Sequence, residues 1–387
     1  MANYLNRDAL DIKPLSQRVN KLDVQRDCVN PETFDVVLSP EAQADVENAA
    51  QEIRRAKETG AARILTYGAH AIKNGLGKVL ARLVEGGWIT RLTTNGAGVI
   101  HDWEFAYQGY SGEDVQRYTS QGQFGIWNET GFYINLAIVL GAYRGLGYGE
   151  SIGEMIERQG MVIPTDQELY YAMLAGVDCA NFPQTSHPVL DADEASEAET
   201  LERAAAAAEL LRAKRRFALQ DGLLAIEHPY RDFSIAYRAH KANVPFGCCP
   251  MIGCDIIYTH PANNCAAIGR AAQRDFLAFA NDVGKLNGGV YLSVGSAVLS
   301  PMIFEKALSM ARNLARQENR AISNFTIHVV DIASSSWDWN QNGEPPMDNP
   351  AYYLRYCKTF SRMGGKMTYA SADNRSWLVA LLRALES

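Results

Sequence analysis

Apolar positions along this 387-residue chain change period again and again, from short runs of strand type to helical spacing and back. The stretch Arg63 to Asp102 shows it most fully. Ile64, Leu65 and Tyr67 form a short apolar run closed by Gly68; Leu76, Val79, Leu80, Leu83 and Val84 recur at helical spacing; Ile89 to Thr93 returns to β-favouring residues. The pattern predicts strand, loop, helix, strand, loop. Its two loops, GAHAIKNG (68–75) and TTNGAG (93–98), would then emerge at the same strand ends of a βαβ unit, where open α/β sheets bind ligands.

The remainder follows the same rhythm. Residues 1–40 show no clear period and read as an arm packed on a neighbour or on the body. Ser39 is a candidate N-cap for a helix from Ala42 to Thr59, stopped by Gly60. Residues 107–125 suggest a long surface loop, 131–160 one or two buried helices broken by glycines, and Ala192 to Arg216 an outer helix with a polyalanine core. Ser234 to Lys241 is a helix candidate, 243–247 a connection, and DIIYTH (255–260) follows a cysteine-rich turn, CCPMIGC (248–254). Helices over Ala266–Val283 and Ile303–Asn319 alternate with strands in GGVYLSVGSAV (288–298) and FTIHVVDIA (325–333). After a polar loop (334–350) come a helix, AYYLRYCKTF, a strand, KMTYA, and a last helix, SWLVALLRAL. This alternation predicts a Rossmann-like α/β fold, a mainly parallel sheet with helices on both faces. With no repeat and no linker, residues 41–387 read as one domain behind the 1–40 arm.

Composition narrows the classes. At 47% hydrophobic residues the chain can bury a large core without staples. No apolar run is long enough to span a bilayer, and no basic-then-apolar leader opens the sequence. Seven cysteines, an odd number, fit a reducing compartment, so a cytoplasmic protein is expected. A net charge of −7 argues against general affinity for nucleic acid or anionic membranes.

The candidate chemistry lies in the two glycine loops. Gly75 and Gly77 would open a helix whose free N–H groups could face a phosphate, and Gly96 and Gly98 would let the second loop approach the same ligand. The competing reading is that glycines this dense are turn residues. The polar residues beside them are His70, Lys73, Asn74, Thr93, Thr94, Asn95, His101 and Asp102. Cys248, Cys249 and Cys254 with His260 lack a CxxC pair, and no metal site is expected. Cys249 or Cys254 could serve as a nucleophile or as a small buried side chain. His187, between Ser186 and Pro188, reads as a loop residue.

At these residues the chain resembles the deoxyhypusine synthase family. Its second loop stands here as TTNGAGVIHD (93–102), with one extra residue, and NVPFGCCPMIGCDII (243–257), YLSVGSAV (291–298) and KTFSRMGGKMTYASAD (358–373) follow in the family's order. The resemblance implies a Rossmann-like fold that binds NAD and assembles as a homotetramer with sites between paired subunits. It implies that Lys358 forms an imine with a substrate fragment after NAD has taken a hydride from an amine, and that Asp255 holds that amine. Gly295 and Ser296 would lie in the glycine strand loop, Ser371 and Asp373 near the cofactor ribose, and Trp337 and Asp338 at the substrate. An imine-forming lysine must be neutral, so burial or a neighbouring cation such as Arg355 would have to depress its pKa. The alternative is that Lys358 merely ends an amphipathic helix.

The chain also departs from the family. Ile100 and His101 stand where the family has paired glutamates, Leu299, Ser300 and Pro301 where it has a histidine, and Lys73 where it has a small residue. Losing the acids removes what receives a polyamine's cationic end. The resemblance therefore implies an NAD-dependent transferase acting on a small amine, with Lys358, His101 and Asp255 as catalytic candidates, but not on spermidine or a translation factor. An NAD-dependent oxidoreductase, cyclase or lyase, on a substrate that could be anionic, and a catalytically silent ligand-binding or scaffolding relative are the alternatives.

Overall fold

The computed structural model describes residues 3–180 and 192–387. His187 lies outside them. Ser39 accepts from the Ala42 N–H and starts α1 (Pro40–Glu58), as its capping chemistry predicts. Then follow β1 (Arg63–Tyr67), a short α2 (Ala69–Lys73), α3 (Gly77–Glu85), β2 (Arg91–Asn95) and α4 (Gly96–Gln108). Before the sheet resumes come the helices α5 (Asn128–Arg144), α6 (Tyr148–Arg158), α7 (Asp166–Ala180), α8 (Ala192–Arg216) and α9 (Ile235–Lys241), among others. The chain closes with β3 (Phe246–Cys249), α10 (Cys265–Val283), β4 (Val290–Val294), α11 (Leu299–Gln317), β5 (Thr326–Asp331), α12 (Arg355–Ser361), β6 (Lys366–Ser371) and α13 (Asn374–Glu386).

The six strands form one parallel sheet in the order β6-β5-β4-β1-β2-β3. This is the order of doubly wound dinucleotide-binding sheets, which reverses between β1 and β4. Alternation along the strands divides the core. Leu65, Tyr67, Leu92, Leu292, Val294 and Val330 face α1, α3, α4 and α13. Ile64, Tyr291, Ile327, Val329 and Met367 face the aromatic layer of Phe279, Phe304 and Phe360 on α10, α11 and α12.

The structure corrects several boundaries. Residues 107–125 are not one loop: Tyr110–Ser111 pairs with Leu22–Asp23, and Val115–Ser120 is helical. The first two cysteines of the expected turn lie in β3, and Ile256–Thr259 is a 3-10 helix. AYYLRYCKTF is broken at Leu354 into a 3-10 turn (Pro350–Tyr353) and α12. The arm packs on the body, burying Leu15, Val24 and Val29. Among the described residues no helix is long and apolar enough to cross a membrane.

A buried ion pair pins α1 to the sheet. His328 on β5 lies 2.9 Å from Asp45 through Nδ1 and 2.8 Å from Glu52 through Nε2, and Trp377 of α13 donates to the other Asp45 oxygen at 3.1 Å. Burial alone would lower the imidazolium pKa, but the hydrogen bonds and charges of both carboxylates outweigh it and raise it to about 9. Since this folded-state value exceeds the unfolded one, the stability it confers is complete below about pH 6.5 and is lost as pH rises through about 9. Thermal unfolding should therefore show a stability loss between pH 7 and pH 9.5 that is missing from His328→Gln, a variant destabilised at pH 7 by about 3–5 kcal/mol. An identical alkaline limb in both proteins would refute the clamp.

Candidate functional site

The candidate site is built at the carboxyl ends of the strands. Where the sheet order reverses, the turns after β1 and β4 meet so closely that a Cβ on Gly68 would stand 2.1 Å from the Gly295 carbonyl oxygen. Gly295 has a φ of +58°, and a Cβ there would strike the Asn374 amide at 2.4 Å. The Asn374 Oδ1 is buried without a partner among the described residues. From this junction α11 departs with no side-chain hydrogen bond at its N-cap, Val298; Ser296 accepts from the Ser300 N–H at 3.2 Å. Its first amides and positive dipole end thus lie at the point where doubly wound folds hold a ligand.

At β2 the expected open loop is instead a strand end and a helix start. Asn95 caps α4 by accepting from the Gly98 N–H at 2.8 Å, and Thr94 donates to the Tyr67 carbonyl at 2.9 Å. Thr93 Oγ1 is buried without a partner. Both glycines serve packing: a Cβ on Gly98 would lie 2.2 Å from Thr94 Oγ1, and one on Gly96 would lie 2.2 Å from Asp255 Oδ2. Asp255 accepts from the Met251 N–H at 3.3 Å and sits against the first turn of α4, in the place the glycine spacing assigns to a phosphate. Burial, only partly offset by backbone N–H groups of Met251 and Ala97, raises its pKa to about 6. The protein's own carboxylate fills this helix terminus.

The first loop differs as well. Residues 69–73 form α2, and Asn74 is its C-cap. A Cβ on Gly75 would meet the Asp27 carbonyl at 2.0 Å and one on Gly77 the Phe233 carbonyl at 2.4 Å, so these glycines seat the arm and the turn before α9. Asp102 is likewise committed: it accepts from Ser234 Oγ at 2.6 Å and from the Ile235 and Ala236 N–H groups at 2.8 and 3.0 Å, capping α9. What remains at this corner is exposed His70, with partly buried Lys73 and His101.

On the β5–β6 side, Lys358 is partly buried in α12, with Nζ 3.6 Å from the centre of the Tyr352 ring. Arg355, one turn earlier, is exposed, so the apolar surround expected of an imine-forming lysine is here an aromatic face. Ser371 ends β6 exposed, and Asp373 caps α13 and pairs with Arg375 at 3.0 Å. Trp337 donates to the Gly343 carbonyl at 3.0 Å, and Asp338 accepts from the Gln341 N–H at 3.1 Å. Their loop orders itself. Burial pushes the Cys249 thiol up to about 12, which keeps it protonated and a poor nucleophile.

Three residues that sequence reasoning missed support His101: Arg18, Glu104 and Ser111. Glu104 was detectable as an acid between Trp103 and Phe105 in a largely apolar helix, but its partners come from the arm, from the ribbon after α4 and from α5. A cleft of about 630 Å³ lies at the opposite, amino-terminal edge of the sheet, lined by Arg91, Glu150, His240, Phe246, Arg274 and Asp275. There Arg91 is paired with Asp282, Arg274 with Glu202 and His240 with Glu157.

No family model matches the chain, and no curated protein matches its sequence. Solved structures similar to it include AgrE, both unliganded and in a ternary complex with ornithine and NAD+, at 16% identity and a TM-score of 0.43 over 92% of this chain. The chain spans about a third of AgrE, 34% of its length. ArgZ, an arginine dihydrolase from the ornithine-ammonia cycle in cyanobacteria, aligns at 15% identity with a TM-score of 0.38, over 88% of this chain and 32% of ArgZ. A conserved LOR/SDH protein from Methanococcus maripaludis S2 aligns at 16% with a TM-score of 0.40, over 97% of this chain and 75% of its own.

The junction of β1 and β4 makes a direct prediction. Gly68→Ala forces a methyl group against a backbone carbonyl and should lower the unfolding free energy in urea by about 1–3 kcal/mol. Gly269→Ala, with open space around an exposed helical position, should be neutral or stabilising by up to about 1 kcal/mol. Equal effects would show that the two turns do not meet as described.

Proposed function

We propose that this chain is an NAD-dependent enzyme acting on a small amine-bearing substrate at the carboxyl edge of its sheet. The observation that carries the reading is the β1–β4 junction, where two turns in backbone contact adjoin the N-terminus of α11, whose N-cap residue, Val298, makes no side-chain hydrogen bond. The dinucleotide phosphates would lie along Gly295, Ser296 and the first turn of α11 rather than at α4, whose terminus Asp255 occupies. Ser371 and Asp373 would stand toward the ribose. Asp255 and His101 would face the amine, and Lys73 would meet any anionic end of the substrate. Residues 41–387 would act as one NAD-binding domain.

Exposed apolar residues support a paired assembly as part of the same proposal. Ile252, Val298, Met302, Ile332, Met347 and Tyr353 are exposed apolar residues, and all lie on segments leaving the carboxyl ends of β3, β4 and β5. Apolar area gathered around one edge is what a second subunit would cover, so the homotetramer with shared sites belongs to the same proposal. The second reading, an oxidoreductase, cyclase or lyase in which Lys358 acts without forming an imine, is favoured by that lysine's seat on the Tyr352 ring.

NAD should raise the melting temperature of the intact protein in a concentration-dependent way, and NADP should do so less, because a 2′-phosphate would approach the Asp373 carboxylate. No shift with either dinucleotide would end the cofactor assignment. Ornithine and spermidine are suitable probes in the same assay, and the loss of the acidic pair predicts weaker binding of spermidine.

The two readings of Lys358 separate chemically. Under the transferase reading, borohydride added with NAD and a substrate amine leaves a mass increment on the Lys358 peptide. Lys358→Arg then binds NAD normally but turns over slower by about three or more orders of magnitude. Turnover without any adduct, or near-native activity of the arginine variant, selects the oxidoreductase reading.

A further inference from the structure

The hydrogen bonds behind His101 leave only one way to place its protons. Glu104 is fully buried in α4 and receives both Arg18 guanidinium nitrogens at 2.7 Å, Thr130 Oγ1 at 2.9 Å and Ser111 Oγ at 2.6 Å. Burial would raise the pKa of this carboxyl group, but the charge and hydrogen bonds of Arg18 outweigh it and hold it below the usual range. An ionised carboxylate has no proton to give, so Ser111 must donate its single hydroxyl hydrogen to Glu104. The Ser111 oxygen, 2.7 Å from His101 Nδ1, can then only accept. Nδ1 therefore carries the hydrogen of the neutral ring, and Nε2 presents a bare lone pair.

That lone pair has no protein partner among the described residues. The ring is partly buried, with His70 and Lys73 of α2, Arg18 and Glu104 all near enough to act on its charge. Burial, reinforced by Lys73, Arg18 and His70, lowers its pKa to about 4, so it stays neutral at neutral pH despite Glu104. A neutral acceptor close to a lysine discriminates by atom type: it welcomes an N–H or O–H donor and leaves a carboxylate or phosphate oxygen without a hydrogen to share.

We propose that His101 is a specificity-determining residue whose Nε2 accepts a hydrogen bond from the amine or hydroxyl group of the substrate, with Ser111, Glu104 and the arm residue Arg18 as positioning residues that fix this tautomer. The proposal rests on the carboxyl edge being the substrate site, and adds which substrate atom lies against which nitrogen. The arm thereby acts on the site from behind. Arg18 neutralises the buried acid that orients the ring, and Leu22–Asp23 pairs with Tyr110–Ser111 to hold the serine in place.

The test is nitrogen NMR of the full-length protein labelled with 15N-histidine, the His101 signals being identified by their loss in His101→Gln. At pH 7 the wild type should show the Nδ1–H tautomer. Ser111→Ala should give a mixture, and Ser111→Thr, which keeps the hydroxyl, should restore the single form. Butylamine should shift Nε2 saturably while butyrate does not, and Ser111→Ala should weaken butylamine binding by about three- to tenfold, the loss of one oriented hydrogen bond. A wild-type ring in the Nε2–H form, or equal shifts from butyrate and butylamine, overturns the proposal. The tautomer is read without cofactor, so failure of NAD to bind would strike the enzymatic reading and leave this result standing.

Discussion

The approach of Gly68 to the Gly295 carbonyl is the constraint on which the carboxyl edge depends. Both faces of the sheet are covered by helices, so irregular backbone can gather only at the strand ends, and β1 and β4 end side by side because the winding of the fold reverses there. With no Cβ between them the two turns close to backbone contact, and α2, α11 and the start of α13 inherit their positions from that contact. A side chain at Gly68 would separate the turns, and one at Gly295 would displace Asn374 at the start of α13.

Much of the charge at this edge is already committed inside the protein. Asp255 lies against the first turn of α4, Asp102 on that of α9, and Asp373 on that of α13. Glu104 is closed by Arg18, while Asp45 and Glu52 are closed by His328. Buried carboxylates need such partners, since an isolated one would cost several kcal/mol. The groups left beside α2 are His70, Lys73 and His101, two imidazole rings and one lysine. That balance is the ground for the proposal that the substrate brings a hydrogen-bond donor.

The arm shows how a chain without a regular pattern can still be ordered in space. Residues 3–39 carry no period, because they form no long helix or strand; besides a few buried apolar side chains they are held by contacts such as Arg18 to Glu104 and Leu15 N–H to Glu129 at 2.5 Å. Each contact joins residues far apart in sequence, and no window along the chain contains both partners.

The sequence by itself determined the alternation of strands and helices except at β3, which reads as a connection and a turn, together with the buried character of the Thr326–Asp331 strand and the Ser39 cap, because these follow from spacing within a dozen residues. It also located the carboxyl edge, through GAHAIKNG, TTNGAG and VGSAV. Tertiary structure alone decided what the glycines are for and which acids are free. Gly75 and Gly77 face Asp27 and Phe233, Gly96 faces Asp255, and Asp102 turns to α9, whereas linear spacing points all of them at a ligand. The physical reason is that a glycine or a carboxylate at a helix terminus satisfies the same local rule whether the group opposite is a phosphate or another part of the chain. Only the folded arrangement brings one of them there.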